Sequence, residues 1–209
     1  MAGALYLRLN EDNPEPSKLI KISAALQDGA IIGYPTDTAY GLGCCINKPK
    51  SFDRIARIKE TKTSELRLSI VFDSLQHLSD YTRPIPTSVY RILKKLLPGA
   101  YTFIIEANNK VPKVFNYKRT HVGIRIPDNA IARAIVTENM APIVTTSAPW
   151  PSDDYSMDPA ELYDQLKDKV DVFIDGGYCN NLKSSVIEVS SEGLFNVIRE
   201  GAGDVSIFG

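Results

Sequence analysis

Short β-branched and aromatic runs alternate with stretches of helical period along this chain, and that alternation most restricts what it can fold into. Strands are expected at residues 5–9, 31–32, 68–72, 101–105, 121–126, 143–145 and 172–174, each a run bounded by turn formers. Amphipathic helices are expected between them. The first is capped by Ser17, carries Leu19, Ile20, Ile22, Ala25 and Leu26 on one face, and ends before Gly29. Others are expected over 52–58, 74–81, 86–97, 130–138 and 159–169. The last two strands, 185–189 and 194–199, fold back on each other around Ser191-Glu192-Gly193. Strands that first alternate with helices and then pair by hairpin predict a mixed α/β sheet with helices packed against it. With 209 residues the chain is expected to form a single domain, 1–209.

Ligand groups in such sheets collect in loops beyond the strand ends. The stretch 30–44 has that character. Ile31 and Ile32 form a buried run, Pro35 stops regular pairing, and Thr36, Asp37 and Thr38 then offer two hydroxyls and a carboxylate on one bend. Gly41 and Gly43, flanking Leu42, allow close packing or positive φ. Two readings stay open: a ligand-binding mouth, or a turn whose side chains satisfy only backbone groups. Thr102, Arg125, Ser147 and Ser184–Ser185 also fall at or beside expected strand ends.

No apolar run approaches the roughly 20 residues that span a bilayer, and the N-terminus lacks a basic-then-apolar signal. Cys44, Cys45 and Cys179 have no metal-type spacing, so a reduced cytoplasm is expected, with Cys44–Cys45 packing in a strand. Net charge is −1, yet ten basic residues between Arg83 and Arg133 face only Glu106 and Asp128. Such a segment suits an anionic ligand, a nucleotide or RNA, unless its charges scatter over the surface. His77 and His121 read as structural, and no Gly-x-Ser-x-Gly elbow, Walker loop, Rossmann fingerprint or zinc cluster occurs. Asp153, Asp154 and Asp158 suit a divalent ion or a solvated loop. What remains is a site of lysine, arginine and hydroxyls, suited to holding an anion and neutralising charge during transfer to phosphorus.

The run Tyr34-Pro-Thr-Asp-Thr-Ala-Tyr-Gly-Leu-Gly-Cys44 resembles the signature of the YrdC-like proteins, the threonylcarbamoyl-AMP synthases. Ile58-Lys59, Leu97-Pro98-Gly99-Ala-Tyr-Thr102-Phe103, Gly123-Ile-Arg125-Ile-Pro127, Thr146-Ser147-Ala148, Ile174-Asp-Gly-Gly177, Ser184-Ser185-Val186 and Ile198-Arg199-Glu-Gly201 follow in the family's order. The resemblance implies a twisted open mixed sheet with a large, concave, basic cavity. It implies joining of L-threonine, bicarbonate and ATP into threonylcarbamoyl-AMP, with release of pyrophosphate, for the N6-threonylcarbamoyl modification of tRNA adenosine 37. ATP enters as substrate, with Mg2+ a candidate companion and no tightly bound cofactor. By position, Thr36, Arg125 and Ser184 would hold threonine, and Lys59, Thr102, Ser147 and Arg199 the nucleotide, with Lys59 as the catalytic residue.

Two departures point to the YciO-type branch. Synthases usually carry Lys-x-Arg and Ser-x-Asn where this chain has Lys59-Glu60-Thr61 and Ser147-Ala148-Pro149. No histidine lies between Lys59 and Gln76, where synthases commonly place a threonine contact. Replacing an arginine by threonine removes a charge and a fork of donors; Lys62 and Arg67 are the nearby cations available to compensate. A rival expectation is a module that binds tRNA or double-stranded RNA through the same basic cavity without synthase activity. A third is a hydrolase of a related acyl-adenylate, with Asp37 orienting a water.

Overall fold

Apolar side chains on both faces of most strand runs require cover from both sides, and the chain supplies it with five α-helices set between strands. The computed structural model describes residues 3–112, 120–149, 158–180 and 182–208. The elements in order are β1 (Leu5–Arg8), α1 (Pro16–Gln27), β2 (Ile32–Tyr34), β3 (Gly41–Cys45), α2 (Lys50–Ile58), β4 (Ser69–Val71), α3 (Thr87–Leu96), β5 (Tyr101–Glu106), β6 (His121–Arg125), α4 (Ala130–Asn139), β7 (Ile143–Ser147), α5 (Pro159–Leu166), β8 (Val172–Asp175), β9 (Ser185–Val189) and β10 (Phe195–Arg199). All the strands join one open ten-stranded sheet in the order β1-β8-β2-β3-β7-β4-β6-β5-β9-β10. The pairs β1–β8, β2–β8, β4–β6 and β5–β9 are parallel, and the other pairs are antiparallel, so the sheet is mixed as expected.

Side chains alternate across a strand, and the two faces are buried differently. On one, Leu42, Cys44, Ile70, Phe103, Ile124 and Val144 pack with Phe52 and Ile55 of α2, Val89 and Leu93 of α3, and Leu162 and Leu166 of α5. On the other, Ile32, Cys45, Val71, Ile143, Val172 and Ile174 pack with Leu19, Ile22 and Leu26 of α1 and Ile131 and Ile135 of α4. This second face changes character along its strands. Beyond Ile143 come Thr145 and Ser147, and beside Thr145 the register places Ser69 and then Gly123. Those small and polar positions lie past the cover of α1 and α4 and become the floor of a cavity.

Several local expectations need correction. The glycine run after Pro35 is a strand: β2 and β3 form an antiparallel pair, with Gly33 opposite Leu42. Ser17 does not cap α1, because Pro16 already occupies the first turn, where its missing N–H costs nothing, and Glu15 holds the N-cap position. Ile20 is 57% exposed, because the buried stripe runs through Leu19, Ile22 and Leu26. Residues 75–80 form a 3-10 helix rather than an α-helix, although Ser74 does accept from the Gln76 amide at 3.4 Å. Cys44 and Cys45 are buried in β3 as free thiols. Asp158 accepts from the Ala160 amide at 2.8 Å and so caps α5, whereas Asp153 and Asp154 lie outside the described residues. No helix among the described residues is long and apolar enough to cross a membrane.

Candidate functional site

A cavity of about 670 Å3 opens on the uncovered part of the sheet. Its floor is set by close packing. A Cβ at Gly41 or Gly43 would stand 3.0 or 2.9 Å from the Tyr34 ring, so glycine at both positions lets the ring lie flat against β3. The Tyr34 hydroxyl donates to Thr145 Oγ1 at 2.8 Å, and that hydroxyl donates to the Leu42 carbonyl at 3.1 Å. Complete burial pushes the Tyr34 phenol up to about 12.

One wall is the β2–β3 connection with Arg125 at the end of β6. The Arg125 guanidinium donates through Nη2 to Asp37 Oδ1 at 2.6 Å, to Thr36 Oγ1 at 3.3 Å and to Thr38 Oγ1. The Arg125 and Asp37 side chains are only 12% and 10% exposed. Arg125 Nε and Asp37 Oδ2 are buried without a partner. The Thr36 hydroxyl itself donates to the Ala39 carbonyl at 2.6 Å. Asp37 is therefore an ion-pair partner, which leaves it badly placed to orient a water as a hydrolase would need. The connection is moored by Tyr40, whose hydroxyl donates to the Gly177 carbonyl at 2.9 Å and accepts from the Gly176 amide at 3.2 Å.

A second side joins β5, next to β6 in the sheet, with β9 and β10. Thr102 and Ser184 share a hydrogen bond of 2.9 Å between their hydroxyls. Arg199 donates to the Ser184 carbonyl from Nε at 3.2 Å and from Nη2 at 2.8 Å. Gly201 permits this arrangement, because a Cβ there would meet the Lys183 carbonyl oxygen at 2.2 Å.

Lys59 closes a third side. It caps α2, and the chain reverses at Glu60, whose φ is 52°. The Glu60 amide bonds to the Arg57 carbonyl at 3.1 Å and the Thr61 amide to the Ala56 carbonyl at 3.0 Å, the paired bonds of a Schellman end. The reversal brings both Lys59 and Thr61 to the cavity wall. Lys59 Nζ donates to the Ser147 carbonyl at 3.1 Å. Burial, and after it the charge of Lys183, hold the Lys59 ammonium below the ordinary lysine range. Left-handed backbone costs an L-residue about 1–2 kcal/mol, and glycine returns part of that gain as unfolded-state entropy. Glu60→Gly is therefore expected to stabilise the fold by about 0.5–1 kcal/mol, seen as a rise of about 1–4 °C in the thermal midpoint.

All seven residues singled out from the sequence (Thr36, Lys59, Thr102, Arg125, Ser147, Ser184 and Arg199) line this one cavity. His121, read from the sequence as structural, and Lys183, not singled out there, also line it. His121 is two residues from Gly123 and four from Arg125 on β6, so strand period alone places it on their face. Arg67 lines the cavity, whereas Lys62 is exposed and pairs with Glu65 at 3.8 Å. The basic segment from Arg83 to Arg133 disperses: Arg83 pairs with Glu106 at 3.1 Å, Lys110 with Asp80 at 3.5 Å and Arg133 with Asp128 at 3.9 Å. Arg91, Lys94 and Lys95 lie on α3. Of that segment's described cations, Arg125 is the one at the cavity. Lys113, Lys118 and Arg119 lie outside the described residues.

A protein-family model named Sua5_yciO_yrdC and described as "Telomere recombination" matches residues 24–201. The chain belongs to the Sua5/YciO/YrdC family. Within the family it is 32% identical over 205 residues to the uncharacterized protein YciO of Escherichia coli, covering 97% of this chain and 98% of that one. The crystal structure of E. coli YciO matches with a TM-score of 0.88, covering 100% of both chains. The threonylcarbamoyl-AMP synthase of Bos taurus is 33% identical over 188 residues, which are 85% of this chain and 66% of the synthase. The crystal structure of P. abyssi Sua5 complexed with L-threonine shares the fold, with a TM-score of 0.82 at 23% identity over 95% of this chain and 58% of that one.

Proposed function

We propose that this family member binds ATP and L-threonine in the cavity and joins them with bicarbonate into threonylcarbamoyl-AMP, supplying the N6-threonylcarbamoyl group for tRNA adenosine 37 in the cytoplasm. The observation that carries this reading is the convergence of Thr36, Lys59, Thr102, Arg125, Ser147, Ser184 and Arg199, from seven separate stretches of chain, on one cavity. The synthase named among its relatives supports the choice of reaction.

The chemistry asks for little beyond placement and charge. Threonine and bicarbonate give a carbamate with loss of water. A carbamate oxygen attacks the α-phosphorus of ATP, the bond from phosphorus to the bridging oxygen breaks, and pyrophosphate leaves with the electron pair. Negative charge grows on the leaving group, so cations fixed beside it stabilise the transition state. Lys59 suits that duty: burial makes its charge costly, and an adjacent phosphate offsets the cost. Arg125, at the other wall, suits a ligand carboxylate through the part of its fork not turned to Asp37. The paired Thr102 and Ser184 hydroxyls present neutral donors between the two charged ends. Among the described residues no group of three acidic, histidine or cysteine side chains is arranged to hold a metal ion.

Purified protein given ATP, bicarbonate and threonine is expected to release pyrophosphate and AMP-linked product only when all three are present. Release that ignores threonine, or no release, rejects the reading. Ser184→Ala is expected to raise the KM for threonine about threefold to tenfold, the worth of one uncharged hydrogen bond, with a smaller effect on the KM for ATP.

A further inference from the structure

The wall suited to a ligand carboxylate is built around an ion pair rather than a bare cation. Asp37 sits against Arg125, its Oδ1 accepting from Nη2 at 2.6 Å. The two side chains are only 10% and 12% exposed, so solvent screens them little. Asp37 Oδ2 is buried without a donor, so among the described residues the guanidinium alone answers the carboxylate's charge. The bonds of Arg125 to Thr36, Asp37 and Thr38 all run through Nη2. Its Nε is buried without an acceptor, which leaves Nη1 as the edge to offer into the cavity that Arg125 lines. The neighbours add no charge. Burial pushes the Tyr34 phenol and the Cys179 thiol up to about 12, so both stay neutral beside the pair. Glu11, the other carboxylate felt at Cys179, accepts from Asn129 at 2.8 Å and lines a separate cleft with Arg8 and Lys18. A lone carboxylate docked on Nη1 therefore turns a neutral wall into a buried anion. A ligand that carries an ammonium group next to its carboxylate keeps the wall neutral, and that ammonium is drawn to Asp37 through a space of low dielectric.

We propose that Asp37, by cancelling the charge of Arg125, makes the cavity select an α-amino acid over a plain carboxylate of the same shape. This rests on the threonine reading above and adds to it a residue that sets specificity through its partner arginine.

Calorimetric titration of the whole protein with L-threonine and with 3-hydroxybutanoate, the same molecule without its amino group, tests it. The wild type is expected to prefer threonine about tenfold or more, the worth of one attraction between charges in a partly desolvated space. Asp37→Asn keeps an oxygen for Arg125 Nη2 and removes the charge, so it should strengthen 3-hydroxybutanoate and shrink the preference about tenfold. Asp37→Ser, smaller and also uncharged, gives the same reading where the amide variant does not fold. If Asp37 only holds Arg125 in place, the substitutions weaken both ligands together and leave their ratio unchanged. That result, or a wild type without the preference, overturns the inference, and threonine binding itself still stands. Wild-type protein that ignores threonine but takes L-serine over 3-hydroxypropanoate, with the same Asp37 dependence, rejects the threonine reading and leaves the selecting pair standing. Protein that binds none of the four overturns both.

Discussion

Arg125→Met is expected to destabilise the protein by about 3–5 kcal/mol, the usual cost of stranding one member of a buried ion pair. Asp37 is the member left behind. It lies 10% exposed, its Oδ1 accepts from Arg125 at 2.6 Å, and its Oδ2 already has no partner. Methionine fills much of the volume of the arginine stem but supplies no donor, so the carboxylate must stay charged and unpaired or take up a proton. Thr36 and Thr38 cannot replace the lost charge, since the Thr36 hydroxyl is committed to the Ala39 carbonyl. The double variant Asp37→Asn with Arg125→Met removes the stranded charge and is expected to recover more than half of the loss. Urea denaturation of the two single variants and the double variant closes a thermodynamic cycle. A cost below about 1 kcal/mol for Arg125→Met would mean that the pair behaves as an exposed one. Arg125→Lys should also fall short of wild type, because an ammonium cannot reproduce the fan of contacts that one guanidinium makes to three side chains.

The same cluster shows why so much of the site could be read before the fold was known. Thr102, Arg125, Ser147 and Ser184 were marked because polar residues at the ends of apolar runs have nowhere to go but a loop or a cavity, and the sheet gathers those ends. Whether two such ends lie near each other depends on strand order, which local pattern does not encode. The side-by-side placement of Thr102 and Ser184 follows from the parallel pairing of β5 with β9. His121 reads as structural at the start of its strand, and its two-residue spacing from Gly123 puts it on the cavity face. Only the Cys44–Cys45 end of β3 reads as strand in the sequence, because glycine weakens β propensity; the Gly41–Gly43 part is packed by the Tyr34 ring lying over both glycines, a contact made only after the chain has turned back. The basic segment misled in the other direction: nearness in sequence suggested one patch, and folding paired its charges locally instead.

Thr61→Arg is expected to raise threonine-dependent pyrophosphate release about 100-fold to 1000-fold, the range seen when one well-placed transition-state donor is removed or supplied. The geometry favours a direct effect. The left-handed turn at Glu60 carries the chain around so that Lys59 and Thr61 both reach the cavity wall, and the bond from the Thr61 amide to the Ala56 carbonyl fixes where a longer side chain would start. Threonine there offers one neutral hydroxyl; arginine offers a permanent charge and a planar fork suited to a phosphate leaving with its electrons. If the added guanidinium works on the leaving group, the gain appears in kcat more than in KM, and Lys59→Ala in the same background removes most of it. The competing outcome is just as definite. Arg67 lines the same wall, and if it already supplies this charge, Thr61→Arg will change the rate less than threefold while Arg67→Ala lowers it at least tenfold. Measuring the two variants side by side decides between a cavity that lost a cation at position 61 and one that moved it six residues along the chain.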